Sequence, residues 1–228
     1  MENLSDEEST ERIAQHFATI SQKYPPVDVT SLPERVQTKL ECVESPPAVS
    51  DYEAYRQIRA AKKARWGVQN DLPRQITLEF DPELAAHVGQ IITNIVKTGE
   101  WPRQWKLKHI VPIGKIPMPE TEDDLRQISL TSFFSKVTEH FVIAWLMEFI
   151  KDNTDFRQYG GLKGKSITQC LIEFINFILS CQEKTDQTAI LACMVDFSKA
   201  FNRQNHNLLA AKLSDMGVPA WLLLFYLI

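Results

Sequence analysis

Residues 189–195, AILACMV, are seven consecutive small or apolar residues, and an aspartate, Asp196, follows at once. An unbroken apolar run of that length, ended by polar residues, suits a strand covered on both faces. A chain containing it is expected to supply a sheet and two covering layers. Beyond Asp196 the period changes. Phe201, Leu208, Leu209, Leu213 and Met216 recur at close to 3.6 residues, and Gly217 and Pro219 supply a stop, which predicts a helix over residues 199–216. Asp196 is then expected at the rim of a sheet, where strand gives way to helix. Taken alone, Asp196 is better accounted for as a solvated turn residue, and the rest of the chain has to shift that reading.

With 228 residues the chain has room for one substantial core, or one domain and part of another. Its net charge of −4 excludes a protein that grips nucleic acid over its whole surface, but leaves room for a local basic groove. The N-terminal MENLSDEESTE is acidic and polar, unlike a signal peptide. The longest apolar stretch, residues 218–228, is about half the ~20 residues of a membrane helix, so an intracellular protein without membrane contact is expected. Cys42, Cys170, Cys181 and Cys193 form no CxxC pair. They are expected to be reduced packing residues, with Cys170 and Cys181 on one helix face and Cys193 in the buried strand. The five histidines show no HExxH-type spacing.

Residues 1–50 are expected to be a linker or N-terminal extension: one short helix fits residues 8–23, and Pro25, Pro26, Pro33, Pro46 and Pro47 interrupt the stretch after it. A helix over residues 51–67 carries Arg56, Arg59, Lys62, Lys63 and Arg65, which suits a solvated face or one meeting phosphates. Residues 82–99 predict a second helix, with Asp81 as cap, Pro82 in the first turn and Gly99 at the stop. Residues 105–112 alternate like a strand. From 97 to 115 the cations Lys97, Arg103, Lys106, Lys108 and Lys115 face a single acid, Glu100. Residues 125–151 predict a short strand, a turn and a long helix; residues 160–182 predict a glycine-rich basic turn leading into another helix.

Three segments in order, WPRQWKLKHIVPIGKI…DDLRQISLTSFFSKVTEHF, QYGGLKGKSITQCL and VDFSKAFNRQNHNLLAAKLSDMGVPAWLL, span about residues 100–225. Together they resemble the reverse transcriptase domain of non-LTR, LINE-like retrotransposons. The resemblance implies an α+β, helix-rich partial right-hand polymerase fold. Residues 51–185 would be its fingers and residues 186–228 the start of its palm with the first palm strand. It implies RNA-directed DNA synthesis with an RNA template, a DNA primer, deoxynucleotides and Mg2+.

In that family two magnesium ions stabilise the attacking and leaving oxygens, and such hard cations need converging carboxylates. By resemblance Asp196 is the first metal-binding aspartate, and Phe197 offers its backbone carbonyl to the metal. Phe201 matches the aromatic beneath the incoming sugar that excludes a 2′-hydroxyl; it is also placed to be a core residue of its helix. Lys115 and Arg126 fall where the fingers reach the triphosphate. Gly160, Gly161, Lys163, Gly164 and Lys165 match the turn that lies along the template strand.

Three departures bear on activity. Gln127 replaces a usual proline, which is expected to loosen a turn after Arg126, and Asn202 replaces a frequent aspartate. The family's paired-aspartate turn, F/Y-x-D-D, has no counterpart: the only adjacent aspartates, Asp123 and Asp124, follow no apolar strand. The chain is therefore expected to stop before that turn and to be inactive alone. A non-catalytic nucleic-acid-binding remnant and a decayed reading frame remain alternatives.

Overall fold

Three helices bury the largest apolar cluster, and their sequences show why. The computed structural model describes residues 6–21, 27–41, 45–61, 74–183, 189–197, 200 and 204–227. Among these, the helices are α1 (Asp6–Ser21), α2 (Glu34–Leu40), α3 (Asp51–Ala61), α4 (Arg74–Glu79), α5 (Asp81–Thr98), α6 (Phe133–Ile150), α7 (Ile167–Gln182), α8 (His206–Asp215) and α9 (Ala220–Leu227). Ala54 and Ile58 of α3 meet Ala85, Val88, Ile92 and Val96 of α5 and Phe133, Val137 and Phe141 of α6. On each helix these residues recur at three- and four-residue spacing, so one stripe faces inward. Gly89 lets α3 and α5 approach closely: a Cβ there would lie 3.1 Å from the Val49 carbonyl oxygen and 3.6 Å from the Ala54 Cβ.

The terminators of α5 act as expected, but its cap does not. Gly99 closes the helix with φ 73°, its N–H donating to Ile95 O. At the start Phe80 occupies the cap and Asp81 is the first helical residue. Asp81 is buried, and its carboxylate lies 3.4 Å from Arg59 of α3.

The sheet has two antiparallel strands, β1 (Lys108–Gly114) and β2 (Leu125–Thr131), in a register that runs from Lys108↔Thr131 to Gly114↔Leu125. The strand expected over residues 105–112 begins later because Arg103–Lys106 form a 3-10 turn after Pro102. Pro112 sits inside β1 opposite Gln127, which a two-stranded sheet of edge strands tolerates. No turn follows Arg126, contrary to the expectation drawn from Gln127: both residues lie within β2.

The N-terminal stretch, expected to be a linker or extension with one short helix, carries that helix as α1, adds α2 and supplies part of the core. Leu32 and Val36 pack with Ala210 and Ala211 of α8. Arg35 of α2 makes a bidentate pair with Asp215 of α8, at 3.0 and 2.9 Å. A further cluster joins Val142 of α6 to Leu213, Val218, Leu222 and Leu223.

The expectation for residues 189–195 fails. They form neither strand nor helix, with Leu191 96% and Met194 87% exposed. The physical reason is partnership: a central strand needs ladder hydrogen bonds and two covering layers, and among the described residues the sheet ends at β1 and β2. Cys193 is accordingly an exposed thiol rather than a packing residue. Cys170 and Cys181 do share one face of α7, eleven residues or about three turns apart, but Cys170 is exposed. The helix expected over residues 199–216 appears as α8, started by Asn205, whose side chain accepts from Leu208 N–H at 3.1 Å.

Candidate functional site

β1 and β2 bring the cations Lys115 and Arg126 to one end of the sheet. Arg126 is paired with Ile113, and cross-strand partners project from the same face. Ile110, Pro112 and Gln127 share the other face, where α1 lies across it over a cavity of about 330 Å3 also lined by Ile13 and Phe17. Arg126 therefore stands on the face away from α1, beside the exposed Val111, Ile113 and Ile128. Lys115 follows the strand directly and donates its backbone N–H to Asp124 O at 2.7 Å. Its ammonium hydrogen-bonds the Asp123 carbonyl.

The loop that carries Lys115 is braced from both sides. Thr121 and Asp124 form a capping box around Glu122–Asp124, and the Asp124 carboxylate accepts from Thr121 N–H, Thr121 Oγ1 and Glu120 N–H. Those donors hold its pKa below the ordinary carboxylate value, Thr121 contributing most. From α1, Arg12 pairs with Glu122 and His16 Nε2 lies 3.6 Å from Asp123. Glu122 is likewise held low, by its own backbone N–H and then by Arg12. Sequence reasoning missed this brace because α1 and the loop are more than a hundred residues apart and neither is apolar enough to announce a contact.

The basic stretch is solvent-facing as a whole. Lys97, Arg103, Lys106, Lys108, Lys115 and Arg126 are all exposed. The salt bridges among the described residues employ the cations Arg12, Arg35 and Arg59.

The glycine-rich turn before α7 is held together by its own residues. Asp155 accepts from Arg157 N–H at 2.8 Å through its side chain and from Gln158 N–H at 2.9 Å through its carbonyl. Gly161 and Gly164 adopt φ 76° and 84°, a region that disfavours any side chain. Lys165 donates to Phe156 O at 2.9 Å with its ammonium 5.2 Å from the Tyr159 ring centre. The Glu173 carboxylate beside Tyr159 pushes that phenol up to about 12. Ser166 and Gln169 then close a capping box on α7. Gly160, Gly161, Lys163, Gly164 and Lys165 are all exposed on this turn.

Asp196 and Phe197 lie on the exposed irregular segment, and Phe201 and Asn202 fall outside the described residues. Among the described residues no three His, Cys, Asp or Glu side chains gather where an ion could be held, and a Mg2+ ion held by protein needs converging carboxylate oxygens. Among the described residues no helix is long and apolar enough to cross a membrane.

The sequence was also unrevealing about a cleft of about 300 Å3 lined by Trp101, Trp105, Lys106, Lys108, Ser135, Glu139 and Phe225. The two tryptophans four residues apart were its one visible signal.

No protein-family model matches the chain. It is 22% identical over 176 residues to the "Putative 115 kDa protein in type-1 retrotransposable element R1DM" of Drosophila melanogaster, covering 76% of this chain and 17% of that protein. It is 27% identical over 133 residues to the "Probable RNA-directed DNA polymerase from transposon BS" of Drosophila melanogaster, covering 57% of this chain and 14% of that protein. The chain thus spans less than a fifth of the length of these curated relatives.

Proposed function

We propose that this chain is a nucleic-acid-binding part of a LINE-type retroelement protein related to reverse transcriptases, and that it holds an RNA template and DNA primer by their phosphates. The observation that carries this reading is the shared exposure of Lys97, Arg103, Lys106, Lys108, Lys115 and Arg126 in a chain of net charge −4. Exposed cations concentrated in an otherwise acidic protein suit a polyanion. Similarity to an RNA-directed DNA polymerase of a transposon gives that polyanion its class.

Lys115 and Arg126 belong to this reading as contacts to a nucleotide triphosphate or to the backbone, and Gly160, Gly161, Lys163 and Gly164 as the template-side turn. Asp196 and the Phe197 carbonyl are the metal-binding positions by resemblance alone. Among the described residues no carboxylate set gathers around Asp196.

The test combines binding with primer extension. Fluorescence anisotropy with a labelled single strand should show affinity that falls steeply with salt, log K dropping by roughly 0.7 per phosphate contacted for each tenfold rise in salt. Affinity that stays flat between low and physiological salt overturns the phosphate grip. Extension of a primer with Mg2+ and deoxynucleotides, abolished by Asp196→Ala, overturns the binding-only reading.

A further inference from the structure

We propose that the cleft lined by Trp101, Trp105, Lys106, Lys108, Glu139 and Phe225 takes a single unpaired nucleobase together with its flanking phosphates. The inference deepens the phosphate-binding reading above and rests on it. Trp101 lies against Phe225 with ring centres 4.7 Å apart, and Trp105 stacks on Phe134 at 5.9 Å and 23°. Both indoles are half-buried, so each is fixed by packing while part of it still lines the cleft. Rigid rings with some surface left to solvent are what a base needs in order to stack without ordering the protein.

The cleft's polar groups sort by chemistry. Lys106 and Lys108 are exposed cations at its rim, suited to phosphates on either side of a stacked base. A carboxylate in the same cleft repels phosphate but accepts from an exocyclic amine. Glu139 is that group, with Oε1 3.3 Å from the hydroxyl of Ser135, a residue only 2% exposed. Cytosine carries such an amine and thymine does not, so the cleft selects amino-bearing bases. A volume of about 300 Å3 lies at the lower limit of small-ligand sites and holds one base, not a base pair.

The experiment uses the full 228-residue chain and three labelled 12-nucleotide probes: oligo-dC, oligo-dT and an abasic strand with the same phosphates. Binding is measured by anisotropy and by tryptophan emission at pH 7.5. The expected result is affinity about tenfold higher for oligo-dC than for the abasic strand, with emission quenched by oligo-dC alone of that pair. Oligo-dC should also exceed oligo-dT roughly threefold, and Glu139→Gln should reduce that ratio to about one while leaving the circular dichroism unchanged. Trp105→Leu should lose the advantage over the abasic strand, and Trp105→Phe should restore most of it. Equal affinity for oligo-dC and the abasic strand overturns the base site and leaves the phosphate grip standing. A dC-over-dT ratio unchanged in Glu139→Gln also overturns it. Failure of every probe to bind overturns both readings.

Discussion

The Lys165 ammonium donates to the Phe156 carbonyl at 2.9 Å, nine residues back along the chain. This bond closes the glycine-rich turn and separates the roles of two lysines that look equivalent in sequence. Both are exposed, but the Lys165 ammonium is held by the Phe156 carbonyl and stands by the Tyr159 ring. Lys163→Gln should therefore weaken oligonucleotide binding and reduce the salt slope by roughly 0.7. Lys165→Gln should leave the slope nearly unchanged but speed trypsin cleavage after Arg157. Equal slope losses in the two variants would show that Lys165 faces phosphate after all.

Gly114 sets the path of the loop that carries Lys115. A Cβ on it would lie 2.9 Å from the Ile116 carbonyl oxygen, a contact that only a backbone shift relieves. Gly114→Ala should cost about 1–3 kcal/mol, as overpacking does, and lower the melting temperature by several degrees. It should also weaken oligonucleotide binding by displacing Lys115. A variant with unchanged melting and unchanged binding would show that the loop yields freely.

How much of this was legible in the sequence depended on whether an element's stabilising partners were local. Helix α5 was legible because Pro82 and Gly99 act within a turn of where they stand; Asp81 misled because its partner, Arg59, belongs to another helix. Strands β1 and β2 were legible because they pair with each other across a short loop. The run 189–195 carries the strongest strand pattern in the chain, yet it stands without a ladder among the described residues. An apolar pattern states what a segment requires, and only neighbouring segments can supply it. The same logic hid the aromatic cleft: Trp101 and Phe225 are over a hundred residues apart, and no period links them.

Helix α7 has an apolar arc with no buried residue: Ile167 is 77% exposed, Phe177 63% and Leu171 54%. Such a surface should bind a hydrophobic dye such as anilinonaphthalene sulfonate. The double substitution Leu171→Glu and Phe177→Glu should reduce the dye signal severalfold. Melting temperature should hardly change, since neither side chain is packed. Undiminished dye fluorescence would mean that the signal arises elsewhere, and a large loss of stability would mean that α7 is covered in solution.

Acid should loosen the Lys115 loop before it unfolds the helical core. Asp124, Glu122 and Glu53 all have carboxyls held below their ordinary values: Asp124 by Thr121, Glu122 by its own backbone N–H and Arg12, and Glu53 by the Ser50 hydroxyl and N–H. A folded-state pKa below the unfolded one means that the charged form is favoured by folding. The stabilisation is therefore fully present above the unfolded value, near pH 4, and is lost as pH falls through the lower folded value. Melting temperature should be level from about pH 7 to pH 5 as far as these three groups are concerned, and decline below about pH 4. Asp124→Asn removes the titrating acceptor of the capping box, so it should lower the neutral-pH plateau slightly and flatten the decline. Backbone amide exchange at Thr121 and Lys115 should show the local opening directly, rising in acid beyond the intrinsic pH trend in the native protein and already fast at neutral pH in Asp124→Asn. Protection of those two amides that is the same in both proteins at every pH would show that the Asp124 carboxylate does not hold the loop.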